Sequence, residues 1–199
     1  MGDSFENAQR VGEATRAYEK STEAIENFIR VEGAFLSDYF ALDMIYANAN
    51  LALGTMALRA NHLEQAAEAL NKSLSGEMRS AKAHNNLGIV YERSGKYDAA
   101  VNQYQLAIDL DPKFVSAHMN MGNTRLKQEK YPEAIASYHQ VQELKPDFAI
   151  TNYNLGMAYF RQNQWEKAEA QFMRALVLKP DFAEAQQGLE AVRGKMRSQ

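Results

Sequence analysis

The sequence predicts an all-α chain built from stacked helical hairpins. Three observations carry this expectation. The segment "LKPDFA" occurs at Leu144–Ala149 and Leu178–Ala183, with a looser copy, "LDPKFVSA", at Leu110–Ala117. Pro112, Pro146 and Pro180 therefore stand 34 residues apart, and so do the pairs Leu53-Gly54, Leu87-Gly88, Met121-Gly122 and Leu155-Gly156. Within each period the apolar residues recur at helical spacing, as His84, Leu87, Gly88 and Tyr91 do on one helix and Ala100, Tyr104 and Ala107 on the next. A fixed period of this size marks a repeat architecture in which each unit buries its apolar face against its neighbour.

Residues 1–46 leave two readings open. One is a degenerate repeat at 5–38, with Val11-Gly12, Ala24, Phe28 and Val31 in its frame, a turn at "EKST", and "YFALDMIY" intervening before the next repeat. The other is a single amphipathic helix to about Arg30, with Val11, Tyr18 and Ile25 at heptad spacing. Four repeats follow, at 47–80, 81–114, 115–148 and 149–182. In each, the glycine of the first helix is followed twelve places later by a small residue of the second: Ala66, Ala100, Ala134 and Ala168. Small residues at both places let two helix backbones approach closely. Gly95 marks the turn inside the second repeat, a place that asks for a left-handed backbone. Asn61 and Asn163 tolerate that conformation and Glu129 fits it poorly. Each proline ends a second helix, because it forces the residue before it out of the α region. The first repeat lacks that proline, having Met78 there, and carries Ala57 in the place of the aromatic Tyr91. Residues 183–199 read as a more polar capping helix, with Arg193, Lys195 and Arg197 complementing the dipole at its C-terminus.

The pattern Leu-Gly-x-x-Tyr, Ala, Phe/Tyr, Ala, Pro at this period resembles the tetratricopeptide repeat (TPR) family over 47–182. The resemblance implies a right-handed superhelical solenoid of antiparallel helix pairs, and a role as a non-catalytic adaptor that binds a partner's peptide in a concave groove. One branch of the family, the co-chaperones of heat-shock proteins, holds an acidic C-terminus through a two-carboxylate clamp of lysines and asparagines. The matching places here are Asn85, Ile89, Asn120, Ile150 and Asn154, or one repeat earlier Leu51, Thr55, Asn86, Ser116 and Asn120. Only the middle asparagine fits in either frame, so the clamp is not expected.

The composition excludes several other functions. The chain is 46% hydrophobic and 24% charged, typical of a folded protein. A net charge of −3 provides no basic surface for nucleic acid. There is no cysteine, hence no disulfide or thiolate chemistry. No apolar run reaches the length of a membrane span, and the N-terminus lacks a secretory pattern, so a cytoplasmic protein is expected if Met1 is the native start. Nucleophile motifs, glycine-rich phosphate loops and metal-ligand spacings are absent from the sequence, and no catalytic residue, cofactor or metal is expected. His84 and His118 share one repeat position and are expected to pack.

The informative surface is the other stripe of each first helix, positions 2, 5, 6, 9, 12 and 13 counted from the repeat's first residue. Position 6 places Asn86, Asn120 and Asn154 in register, with Asn123 at position 9 beside them. Such amides pair with the backbone of an extended peptide. Position 13 carries Arg93, Lys127 and Arg161, a basic column suited to acidic partners or to the helix dipole. Met119, Tyr153, Met157 and Phe160, with Leu126, make the stripe apolar toward the last two repeats. The expected partner is a protein or peptide that is acidic and partly apolar. A homo-oligomer assembled through residues 1–46 is the alternative. That segment holds nine acids against four bases while the whole chain is −3, so residues 47–199 are net positive. A third expectation follows: the acidic segment competes with partners for the groove.

Overall fold

The computed structural model describes residues 2–32, 39–75 and 79–198, and the side chains of 12–27, 43–75 and 79–198. Val11, Phe28, Val31 and Met78, named above, fall outside the described side chains. The described residues form ten helices and no strand: α1 (Gly2–Glu32), α2 (Tyr39–Arg59), α3 (Leu63–Ser73), α4 (Ala81–Arg93), α5 (Tyr97–Leu110), α6 (Val115–Lys127), α7 (Tyr131–Leu144), α8 (Ala149–Arg161), α9 (Trp165–Leu178) and α10 (Ala183–Arg197). They divide into two compact units, Met1–Lys96 and Tyr97–Gln199, and the division falls inside the repeat expected at 81–114.

The first unit holds α1 to α4. Helix α1 runs unbroken through Glu19–Thr22, where the degenerate-repeat reading placed a turn. Neither glycine nor proline occurs between Glu13 and Glu32, so nothing in that stretch stops the helix. "YFALDMIY" is the N-terminal extension of α2, not a separate insertion. Ile25 and Thr22 of α1 are buried. Tyr46 of α2 donates its hydroxyl to Glu26 at 2.8 Å, and Lys72 of α3 lies 3.3 Å from the same carboxylate. The segment is thus tied to α2 and α3 of its own unit. A buried cluster of Leu58, Ala66, Leu70, Ala83, Leu87 and Val90 joins α2, α3 and α4.

The second unit holds α5 to α10, with clusters around Tyr138 and around Phe172. In both units the close approach of first and second helix is explicit. A Cβ on Gly54 would lie 2.6 Å from the Leu70 side chain, and one on Gly122 would lie 2.6 Å from the Tyr138 ring. The four hairpin turns share one geometry. Asn61, Gly95, Glu129 and Asn163 all have φ between 57° and 75°. The following residue donates its N–H to the carbonyl five places back: His62 to Ala57, Lys96 to Tyr91, Lys130 to Arg125 and Gln164 to Tyr159, at 2.8–3.0 Å. This is the Schellman closure of a helix C-terminus, which needs a left-handed residue.

The repeated "LKPDF" corner is explained by Phe114, Phe148 and Phe182, which stand at the N-caps of α6, α8 and α10. Each carbonyl accepts from the N–H three residues on, at 3.0 Å, and starts the helix. The Lys145 and Lys179 ammoniums lie 4.5 and 5.2 Å from the Phe148 and Phe182 ring centres. Position 4 of the next helix then reaches back to the corner. His118 Nε2 lies 2.9 Å from the Pro112 carbonyl, and Gln186 Nε2 donates to the Pro180 carbonyl at 3.1 Å. His118 is buried and packs, as its repeat position implied. Helix α4, which follows no proline corner, is capped by Ser80, whose hydroxyl accepts from Ala83 N at 3.2 Å.

Two predictions follow from these contacts. Glu129 carries a side chain into the left-handed region, which costs an L residue about 1–2 kcal/mol. Glu129→Gly should raise the stability to urea, and Gly95→Glu should lower it, each by about 1 kcal/mol. Loss of stability in Glu129→Gly contradicts the turn assignment. The second concerns Glu26, whose carboxyl is held below the ordinary value of 4.5 chiefly by the Tyr46 hydroxyl, against partial desolvation, with Lys72 adding to the effect. A lowered pKa contributes stability above the ordinary carboxylate range and loses it as pH falls through the lowered value. The protection of amides in residues 12–27, measured relative to the intrinsic exchange rate at each pH, should therefore fall on acidification ahead of that in α3. Glu26→Gln should remove that dependence.

Candidate functional site

In the second unit the first helices α6, α8 and α10 lie in succession, α6 against α8 and α8 against α10. Their positions 2, 5, 6, 9, 12 and 13 form the expected stripe. On α6 and α8 the amides pair with each other. Asn154 Nδ2 donates to Asn123 Oδ1 at 3.0 Å and lies 3.5 Å from the Met119 sulfur. Asn123 Oδ1 also accepts from the Tyr138 hydroxyl at 2.8 Å. Asn154 Oδ1 and Asn123 Nδ2 make no hydrogen bond among the described residues, which leaves one acceptor and one donor on the half-buried pair. Asn120 is half-buried on the same helix as Asn123.

Not every expected lining residue lies open. Met119 is only 9% exposed and belongs to the cluster beneath, because the Asn154 amide covers its sulfur. Asn86, in the first unit, is buried at 8% and uses its amide internally: Nδ2 donates to Thr55 Oγ1 at 2.9 Å, and Oδ1 accepts from Asn85 at 3.4 Å. Arg93, also in the first unit, donates Nη1 to the Leu58 carbonyl at 3.0 Å and reaches Asn61 Oδ1 at 3.4 Å. It serves the C-terminus of α2, where a cation is favoured. Lys127 and Arg161 are exposed in the last turns of α6 and α8.

The remaining expected residues meet in one place. A cleft of about 320 Å³ lies between α8 and α10, lined by Tyr153, Met157, Phe160 and Arg161 of α8 and by Glu184, Gln187, Gly188 and Ala191 of α10, with Phe172 of α9 at its base. The Tyr153 ring packs 5.9 Å from Phe172 and 5.1 Å from Phe182, and Phe160 packs edge-on against Trp165 at 5.2 Å. These rings are therefore fixed by the core while one side of each faces the cleft. Arg161 stands at one part of the rim and Glu184 at another, so the cleft combines an apolar base with charges of both signs. The residues from α10 and the role of Phe172 went unread in the sequence. Extending the repeat count past 182 would have found the former, since Glu184, Gln187, Gly188 and Ala191 fall at positions 2, 5, 6 and 9.

Among the described residues no group of acidic and histidine side chains could hold a metal ion, and no helix is long and apolar enough to cross a membrane.

The model of a family described as the tetratricopeptide repeat protein 21 C-terminal ARM domain matches residues 37–155, and one described as a tetratricopeptide repeat matches residues 125–192. The chain belongs to the tetratricopeptide-repeat family. No curated protein matches the sequence. Among solved structures it is similar to MamA, at 23% identity over 92% of this chain and 97% of that one, with a TM-score of 0.73. It is similar to YrrB, described as a TPR protein with an unusual peptide-binding site, at 22% identity, 92% and 86% coverage and a TM-score of 0.73. The first TPR domain of Spaghetti, solved with the HSP90 peptide SRMEEVD, matches at 24% identity over 59% of this chain and 94% of that one, with a TM-score of 0.58. These likenesses establish the fold, the all-α stack of antiparallel helix pairs that the repeats predict.

Proposed function

We propose that the chain is a non-catalytic interaction module that holds a short extended segment of a partner protein across α6, α8 and α10. One observation carries the reading: the cleft is built from the groove positions of two successive first helices, four residues from each. Asn123 and Asn154 offer the donor and acceptor that an extended backbone needs, the cleft takes an apolar side chain, and Lys127 and Arg161 favour an acid beside it. The family's character as a set of protein-interaction modules, the peptide-binding site named for YrrB and the peptide named for the Spaghetti domain support the same class of ligand. The two-carboxylate clamp is not part of the proposal, because Ile89 and Ile150 stand at two of its places and pack against cores.

Peptide display against the whole protein tests it. The expected ligands share an apolar or aromatic residue next to an acid. Phe160→Ala and Arg161→Glu should each weaken them about tenfold, or about 1.4 kcal/mol, with the melting temperature of Arg161→Glu unchanged. Ligands that bind both variants as well as the wild type contradict the site.

A second reading, self-assembly through residues 1–46, rests on Met44 and Ile45, which are 43% and 50% exposed on the extension of α2. Sedimentation decides it: Met44→Glu/Ile45→Glu should convert an oligomer to a monomer, and an unchanged mass removes the reading.

A further inference from the structure

The cleft between α8 and α10 is charged at two separate levels. Arg161 stands at position 13 of α8 and Glu184 at position 2 of α10, and both line the cleft. Successive first helices run in the same direction. The eleven steps between these two levels therefore amount to about 16 Å, at about 1.5 Å per residue. That exceeds the Debye length of about 8 Å at physiological ionic strength, so the two charges do not neutralise each other. Both side chains are exposed, and neither has a hydrogen-bond or ion-pair partner among the described residues. The lining between them, Tyr153, Met157, Phe160, Gln187, Gly188 and Ala191, carries no charge.

The neighbours reinforce the sign of each end. Lys195, exposed at position 13 of α10, continues the basic edge. At the other end the Lys179 ammonium is engaged on the Phe182 ring, 5.2 Å from its centre. Asp181, exposed in the same corner, adds a second acid there. An extended chain sends successive side chains to opposite sides. A segment that crosses α6, α8 and α10 with its backbone on the amides of Asn123 and Asn154 therefore points alternate residues at the position 13 edge and at the position 2 edge. The first edge attracts an acid and the second a base.

Resting on the reading of this cleft as a peptide site, we propose that it selects a dipolar segment of the partner. An acid is held at the edge of Arg161 and Lys195, and a base is held at Glu184. The two stand an odd number of places apart in the segment. Glu184 is thus a specificity-determining residue: it adds a base to the acid and the apolar side chain, and it rejects a second acid on its own side.

The test uses the full chain with carbon-13 labelled methionine methyls and three peptides. The dipolar probe is acetyl-Ala-Glu-Phe-Ala-Lys-Ala-amide. The second has Gln in place of Lys. The third has one more Ala before Lys, which turns the base to the acid's side. All three should shift the Met157 methyl saturably, the dipolar probe at a concentration about threefold lower than the others, as suits an exposed ion pair. The preference should fade in high salt. Glu184→Gln should abolish it, and Glu184→Lys should reverse it in favour of the Gln probe. Equal affinity of the three probes for the wild type overturns the charge order while leaving the peptide site in place. A preference that survives Glu184→Gln overturns the assignment to that residue. A Met157 methyl unmoved by every probe removes the peptide site and the inference together.

Discussion

The Phe172 ring, fully buried, lies between two glycines. A Cβ on Gly156 or on Gly188 would come within 2.7 Å of it. The second unit's C-terminal half depends on that contact. Helix α9 presents the ring, α8 and α10 approach it closely enough that neither can carry a side chain there, and the three helices become one packed body. Burial of a phenylalanine contributes about 1.5–3 kcal/mol, and the absent Cβ atoms bring the two backbones against it. The same ring forms the base of the cleft between α8 and α10. The packing that ends the stack therefore also shapes its candidate site.

The contact recurs with different partners along the chain, as Gly54 on Leu70 and Gly122 on Tyr138. What varies is how the surrounding polar groups are satisfied. Tyr138 sends its hydroxyl to Asn123, which in turn accepts from Asn154, so a core ring orients two amides of the stripe. In the first unit the corresponding amide, Asn86, is consumed by Thr55. A residue type shared by register thus engages both ends of its amide in one place, at Asn86, and only the nitrogen end in another, at Asn154, and the neighbours decide which.

Much of this was legible in the sequence because the period is exact over Leu53-Gly54 to Leu155-Gly156 and because glycine, asparagine and proline have strong backbone preferences. The left-handed turns, Glu129 included, could be placed by spacing alone, and so could the corners. Two features could not. The course of α1 was ambiguous, since a stretch free of glycine and proline fits one long helix while its apolar residues also fit a weak repeat. The engagement of side chains was hidden as well. Repeat position shows that Asn86, Asn154 and Arg93 share a face, but not that Asn86 bonds Thr55, that Asn154 bonds Asn123, or that Arg93 caps α2.

The most direct measurement is a double-mutant cycle on the central contact, with unfolding free energies for Gly156→Ala and Gly188→Ala in the wild-type background and in Phe172→Leu. If the ring is what excludes a side chain from both helices, each alanine should destabilise the wild type by about 1–3 kcal/mol and the Phe172→Leu background much less, because the smaller side chain leaves room. Costs that are equal in the two backgrounds would show that α8 and α10 are not held against Phe172, and would contradict the account.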